Sequence, residues 1–318
     1  MKILITPTSM KPDSSSPALD KLKSFADTLV FNPSGRPLTE EELIPLLKSC
    51  DGYLAGLDFV TRRVLEACPN LKAISRYGAG YDRVDISAAK ELDITVTNTP
   101  GANAEAVGEL AFALILSAAR SIPYLNTQTK AGAWVRSTGM ELKGKTLGIA
   151  GLGAIGKVVA RCARGFDMKI IAYDPFINEA YCSEHRIQPC SFEELLKRSD
   201  IITLHLPLNQ DTWHFIDGRA IEQMKDGVIL INASRGGIID EEAACSALSS
   251  GKIAGMGLDA FEQEPPAGSR LLTFENVIAT PHTGAHTREA TQNMAQMAVD
   301  NLISVLSGQP CPYTLTNI

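Results

Sequence analysis

Three ionisable residues stand just beyond apolar, β-rich runs: Arg235 in "NASRGGIID", Glu264 in "LDAFEQEPP" and His282 in "TPHTGA". An imidazole titrates nearest neutrality, so His282 is suited to giving or taking a proton. A carboxylate such as Glu264, if hydrogen-bonded to that ring, would hold its orientation and favour the charged form. The planar fork of Arg235 matches a carboxylate and would polarise a carbonyl beside it. Each has an ordinary alternative: an ion pair for Arg235, a solvated turn for Glu264, an exposed loop for His282. Together, at successive strand ends, they describe proton transfer to the carbonyl of a small acid.

A partner for that chemistry is written in "GLGAIG", which sets Gly151, Gly153 and Gly156 in GxGxxG spacing after an apolar strand and before an apolar helix. Gly151 permits the tight turn, Gly153 lets the backbone approach a pyrophosphate, and Gly156 lets helix and strand pack closely. Amides at the helix N-terminus then face the phosphates. Asp174, ending "KIIAYD", stands where an acid would accept from the ribose hydroxyls of NAD and repel the 2′-phosphate of NADP. Pro175 and Phe176 follow it, with no cation to offset that repulsion. NAD is the expected cofactor. Nicotinamide supplies a hydride, which explains why small residues surround His282: cofactor and substrate must reach it.

The elements that position these residues alternate between strand and helix. "KILITP", "TLVFN", "GYLAGL", "LKAISRY" and "ITVTNT" read as strands, and "PALDKLKSFA", "LTEEELIPLLKSC", "TRRVLEAC" and "VDISAAKEL" as helices. This is the pattern of a parallel sheet covered by helices. A turn-rich break, "NTPGAN" at residues 98 to 103, reads as a hinge. "AEAVGELAFALILSAAR" is apolar enough to be buried nearly all round, as a helix wedged between domains would be. Glu105 and Glu109 on it are read as first-turn acids favoured by the helix dipole. After a loop with Trp134 and Arg136 comes a second βα series: "TLGIAGLG", "KIIAYDP", "IITLHLPL", "GVILINAS", "IAGMGLDAF" and "NVIATP". "TREATQNMAQMAVDNLISVLSG" closes the chain as one long helix returning to the first domain. In an open α/β sheet ligands bind outside the carboxyl ends of the strands, so Arg235, Glu264 and His282 would converge on one crevice.

The 318 residues exceed what one core usually covers, so two domains are expected. A formal charge of −6 leaves no basic surplus for nucleic acid or an anionic membrane. "MKILITPTSM" has no signal-peptide core, and "LAFALILSAA" is too short to span a bilayer, which points to a soluble, cytoplasmic protein. Seven cysteines contain no CxxC pair and are read as reduced thiols. The five histidines, His185, His205, His214, His282 and His286, lack metal-site spacing, so no metal is expected.

Through "RYGAGYDRVD", "TNTPGANAEAVGE", "LKGKTLGIAGLGAIG", "HLPL", "NASRGGIIDEEA", "GLDAFEQEPP" and "TPHTGAHT", the chain resembles the D-isomer-specific 2-hydroxyacid dehydrogenases essentially end to end. Within them it looks most like the phosphoglycerate dehydrogenase and hydroxypyruvate or glyoxylate reductase branch. The resemblance implies two Rossmann-like, doubly wound α/β domains. An NAD domain at 100–286 is inserted into a flavodoxin-like substrate domain made of 1–99 and 287–318. It implies catalytic roles for Arg235, Glu264 and His282, with the histidine as proton donor in reduction. Ala154 and Ile155 would lie along the pyrophosphate, Thr212 and Ala233 would touch the cofactor, and Asp259 would hold the nicotinamide carboxamide. Amides around Tyr77, Gly78, Ala79 and Gly80 would receive the substrate carboxylate. A homodimer is expected on the same ground.

Within that family the substrate stays open between an unphosphorylated keto acid, such as glyoxylate or hydroxypyruvate, and phosphohydroxypyruvate. Arg76 matches one arginine that approaches the phosphate in phosphoglycerate dehydrogenases. Asp58 falls where a second is expected and would repel a phosphate, so phosphorylated substrates are expected to be disfavoured, although Arg62, Arg63 or Lys11 could compensate. With the sequence ending at Ile318, serine feedback through a following regulatory domain is expected to be absent. Outside enzymes, a nucleotide-sensing corepressor could keep "GLGAIG" without turnover. A formate or phosphite dehydrogenase is a further reading.

Overall fold

The structure, a computed structural model, describes residues 1–13 and 16–316. The chain forms two compact units, Met1–Asn103 with His286–Ile318, and Ala104–Ala285.

The first unit is built on five parallel strands, β1 (Lys2–Ile5), β2 (Thr28–Phe31), β3 (Gly52–Ala55), β4 (Ala73–Arg76) and β5 (Thr95–Thr97), in the order β2-β1-β3-β4-β5. This is the flavodoxin-like order. Helices start where the sequence supplies caps. Ser16 accepts from the Leu19 amide ahead of Pro17, and Thr39 and Glu42 form a reciprocal capping box. The helix Arg288–Leu306 returns to this sheet and buries Ala295, Ala298, Val299 and Leu302 with Ile3, Ile5 and Leu54. Small residues along its face let it lie close to the strands.

The second unit has seven parallel strands: β6 (Thr146–Ala150), β7 (Lys169–Tyr173), β8 (Gln188–Pro189), β9 (Ile201–Leu204), β10 (Val228–Asn232), β11 (Ile253–Leu258) and β12 (Val277–Ala279). Their order, β12-β11-β10-β9-β6-β7-β8, is the dinucleotide-binding arrangement with one strand added, and the order reverses between β6 and β9. Strands β9 and β10 are buried along their whole length, which is why they read as continuous apolar runs.

The helix Ala104–Ala119 packs in this unit, close enough to Val158 that a Cβ on Gly108 would lie 2.5 Å from it. It is not buried all round, for Glu105 is exposed and pairs with Arg161, in keeping with a structural role. A helix at Ile122–Lys130 was not legible in the sequence. It buries no residue, so no apolar periodicity marks it. No single helix among the described residues is long and apolar enough to cross a membrane. All seven cysteines are free thiols.

Candidate active site

The three glycines of the β6 turn have three different reasons to be glycine. Gly151 has φ +95°, and a Cβ there would lie 2.5 Å from the His205 carbonyl oxygen. A Cβ on Gly156 would come within 2.2 Å of the Gly151 oxygen, so any side chain would force the helix Ala154–Arg164 off the strand. Around Gly153, the N-cap of that helix, a Cβ would meet nothing within 4 Å. The space over Gly153 is open to a ligand. The first amides of the helix, at Ala154 and Ile155, have no intrahelical acceptor and point toward it. The loop therefore fits a dinucleotide pyrophosphate.

Asp174 follows β7 directly, and its two oxygens accept from Leu152 N and Phe176 N, each at 2.8 Å. Its charge is thus fixed beside the glycine turn. Thr212 closes its own loop, donating to Pro207 O at 2.6 Å, and Ala233 lies buried at the end of β10. His205, at the end of β9, is held neutral by burial, which lowers its pKa to about 3.

Asn232, Leu258 and Ala279 end three neighbouring strands in register. Arg235 and His282 each stand three residues past such an end, and Glu264 sits on the loop after β11. The His282 Nδ1 and Glu264 Oε1 are 2.8 Å apart. That hydrogen bond leaves Nε2 as the nitrogen for exchange with a substrate. His282 has φ +50°, a backbone region that non-glycine residues seldom use. Asp259 holds the turn in that shape: its Oδ1 accepts from Thr280 Oγ1 at 2.6 Å and Thr283 N at 2.8 Å, and its Oδ2 from Gly284 N at 2.8 Å. Arg235 is shaped from the other side by Asn232, whose Nδ2 donates to Arg235 O at 2.7 Å. Among the described residues no cluster of His, Cys, Asp or Glu is arranged to hold a metal ion.

Comparison with known proteins matches residues 112–284 to the D-isomer specific 2-hydroxyacid dehydrogenase, NAD binding domain. D-3-phosphoglycerate dehydrogenase of Methanocaldococcus jannaschii is 44% identical over 276 residues, covering 86% of this chain and 53% of that protein. Hydroxypyruvate reductase of Thermotoga maritima is 42% identical over 298 residues, covering 90% of this chain and 96% of that protein. The chain belongs to the D-isomer specific 2-hydroxyacid dehydrogenase family. Its fold agrees with the crystal structure of a glyoxylate reductase from Paecilomyes thermophila at TM-score 0.87 and 31% identity, over 99% of this chain and 98% of that one. The chain spans about half the length of the first of these relatives. Its second unit carries the family's NAD-binding domain.

In the first unit the residues Tyr77, Gly78, Ala79 and Gly80, expected to receive the substrate carboxylate, follow β4. The Tyr77 amide donates to Ala55 O, and the Gly78 amide to Arg76 O and Thr99 Oγ1, all at 3.0 Å. Two of the four expected amides are thus already engaged. The amides of Ala79 and Gly80 donate to no described residue. Arg76 is buried and turned under the loop, donating to Ala55 O at 2.9 Å, to Gly56 O, and through Nε to Gly80 O at 3.1 Å.

Asp58 corrects the sequence expectation. It is 1% exposed, and its carboxylate accepts from Leu38 N at 2.6 Å, Tyr53 OH at 2.8 Å and Thr6 Oγ1. A carboxylate so enclosed fastens β1, β3 and the chain before the helix Glu40–Leu47, and does not present a charge to repel a phosphate. The repulsion expected of Asp58 toward a phosphate falls with it, while the absence of an arginine at this position stands.

Sequence reasoning also missed the roles of Asn232 and Thr280, although an Asn ending a strand before "ASR" is a recognisable turn-former. Because three donors converge on Asp259, Asp259→Asn sets an amide N–H against a donor. It is expected to cost about 2 to 4 kcal/mol of stability. Denaturant unfolding measures this, and an unchanged midpoint would count against the role given to Asp259.

Proposed function

We propose that the protein is an NAD-dependent oxidoreductase that interconverts a small 2-keto acid and its D-2-hydroxy acid. The observation that carries this is the His282–Glu264 hydrogen bond on the sheet edge that bears the NAD loop. NAD, when bound, supplies or accepts the hydride. Gly151, Gly153, Ala154, Ile155 and Gly156 would hold its pyrophosphate, Asp174 its ribose and Asp259 its nicotinamide carboxamide, and Thr212 and Ala233 would touch it. His282 gives its Nε2 proton to the carbonyl oxygen in reduction and recovers it in oxidation. Glu264 holds the ring in place through Nδ1. Arg235 pairs with the substrate carboxylate and polarises the adjacent carbonyl. In the first unit, taken by itself, the Ala79 and Gly80 amides are the donors offered to a carboxylate, with Arg76 supporting Gly80 from beneath. The residues 1–99 and 287–318 form the substrate domain and 100–286 the NAD domain, and the protein works as a cytoplasmic homodimer.

The substrate belongs to the set suggested by the relatives' names, glyoxylate, hydroxypyruvate or 3-phosphoglycerate, the last being phosphohydroxypyruvate in its keto form. NADH oxidation with each of these, with pyruvate and with larger 2-keto acids ranks them. Turnover of none would refute the proposal. In the same assay Asp174 makes NADH at least about tenfold more efficient than NADPH, equivalent to roughly 1.4 kcal/mol of repulsion avoided. Equal efficiencies would remove Asp174 from cofactor selection.

A further inference from the structure

A tryptophan–histidine pair outside the reacting groups ties both catalytic loops together. Trp213 and His214 stack, with ring centroids 4.6 Å apart at 18°. The indole lies so close on the turn after Arg235 that a Cβ at Gly237 would be 2.3 Å from it. Main-chain bonds run alongside: His214 N to Gly237 O at 2.8 Å, Ile216 N to Ile238 O at 2.9 Å, and Asp240 N to Ile216 O at 3.1 Å.

The imidazole then reaches the other loop, with Nε2 3.0 Å from Glu262 Oε1 and Nδ1 4.0 Å from Asp240 Oδ2. Glu262 is clasped in turn by Glu241, whose Oε1 accepts from Glu262 N at 2.8 Å. The two catalytic loops also touch directly, since a Cβ on Gly236 would fall 1.8 Å from the Phe261 carbonyl carbon. Glu262 is two residues before Glu264. His214 has φ +50°, so the backbone adopts a disfavoured conformation where the ring bridges the two loops.

We propose that His214 is a positioning residue: through Glu262 it fixes the Phe261–Pro266 loop against the Arg235 turn and so aims Glu264 at His282. The kinetic part of this rests on the reaction proposed above. A catalytic carboxylate needs its supporting contacts, because a displacement of about 1 Å at the reacting groups is enough to cost orders of magnitude in rate.

The test uses the whole chain labelled isotopically in histidine. The Nδ1–H of His282, held by Glu264, is expected to give a low-field proton resonance, and its absence from the wild-type spectrum would itself count against the proposal. His214→Phe keeps the stack on Trp213 and removes the donor. It is expected to broaden or abolish that resonance and to lower kcat about tenfold, with the keto-acid KM and the Kd for NADH within about twofold of wild type. His214→Gln, whose amide still donates to Glu262, restores both. Adding Glu262→Gln to His214→Phe costs nothing further, since the two act through one contact.

An unchanged His282 resonance in His214→Phe overturns the proposal. So does a loss of kcat that tracks a loss of NADH affinity and of unfolding midpoint, the mark of a merely structural contact. The resonance is read without substrate. A wild-type protein inactive on every keto acid would therefore refute the reaction while the spectrum still decides the role of His214.

Discussion

His282→Ala lowers the rate of keto-acid reduction by about 100- to 10,000-fold while NADH still binds. The expectation follows from the position of the ring. Its Nδ1 is engaged by Glu264, so one nitrogen remains for the substrate oxygen, and alanine offers no proton in its place. Cofactor affinity should survive, because the glycine turn and Asp174 stand at β6 and β7, on the other side of the β6–β9 switch from β12. Adding Glu264→Gln to His282→Ala should cost little more, since Glu264 acts through the ring. Steady-state kinetics with a titration of NADH fluorescence measures all three. More than half of wild-type turnover in His282→Ala would remove the histidine from the mechanism.

The second large effect belongs to Arg235. Removing one partner of a hydrogen-bonded charge pair costs about 2 to 5 kcal/mol, so Arg235→Ala should lower kcat/KM by roughly 30- to 5,000-fold. Arg235→Lys should recover little of it, because an ammonium cannot make the two parallel bonds of the planar fork. Loss should fall on kcat as well as KM, since polarising the carbonyl matters most as charge builds on its oxygen. A loss below about threefold in Arg235→Ala would show that the substrate carboxylate is bound elsewhere.

The contrast between what was legible in the sequence and what was not is physical. Gly151, Gly153 and Gly156 could be read because each answers a local backbone demand within one turn. The positions of Arg235, Glu264 and His282 past strand ends could be read because those ends are marked by where apolar runs stop, and parallel strands bring them to one edge. Asp58 was misread for the opposite reason. Its partners, Thr6, Leu38 and Tyr53, come from three different parts of the chain, and nothing in the spacing tells that they enclose a carboxylate. The same holds for the loop after β4: engagement of the Gly78 amide by Thr99, a contact across 21 residues, and of the Tyr77 amide by Ala55 O together narrow four expected donors to two. The helix Ile122–Lys130 shows the limit of periodicity, for a helix with no buried side writes no pattern.

The reaction proposed for this chain moves a hydride between NAD and the carbonyl carbon of a 2-keto acid on one defined face. The most direct measurement incubates the protein with NADH and hydroxypyruvate or phosphohydroxypyruvate, and resolves the product by chiral chromatography against the NADH consumed. One D-2-hydroxy acid is expected for each NADH oxidised. An L-product, or NADH that binds yet is not oxidised by any 2-keto acid, would contradict it.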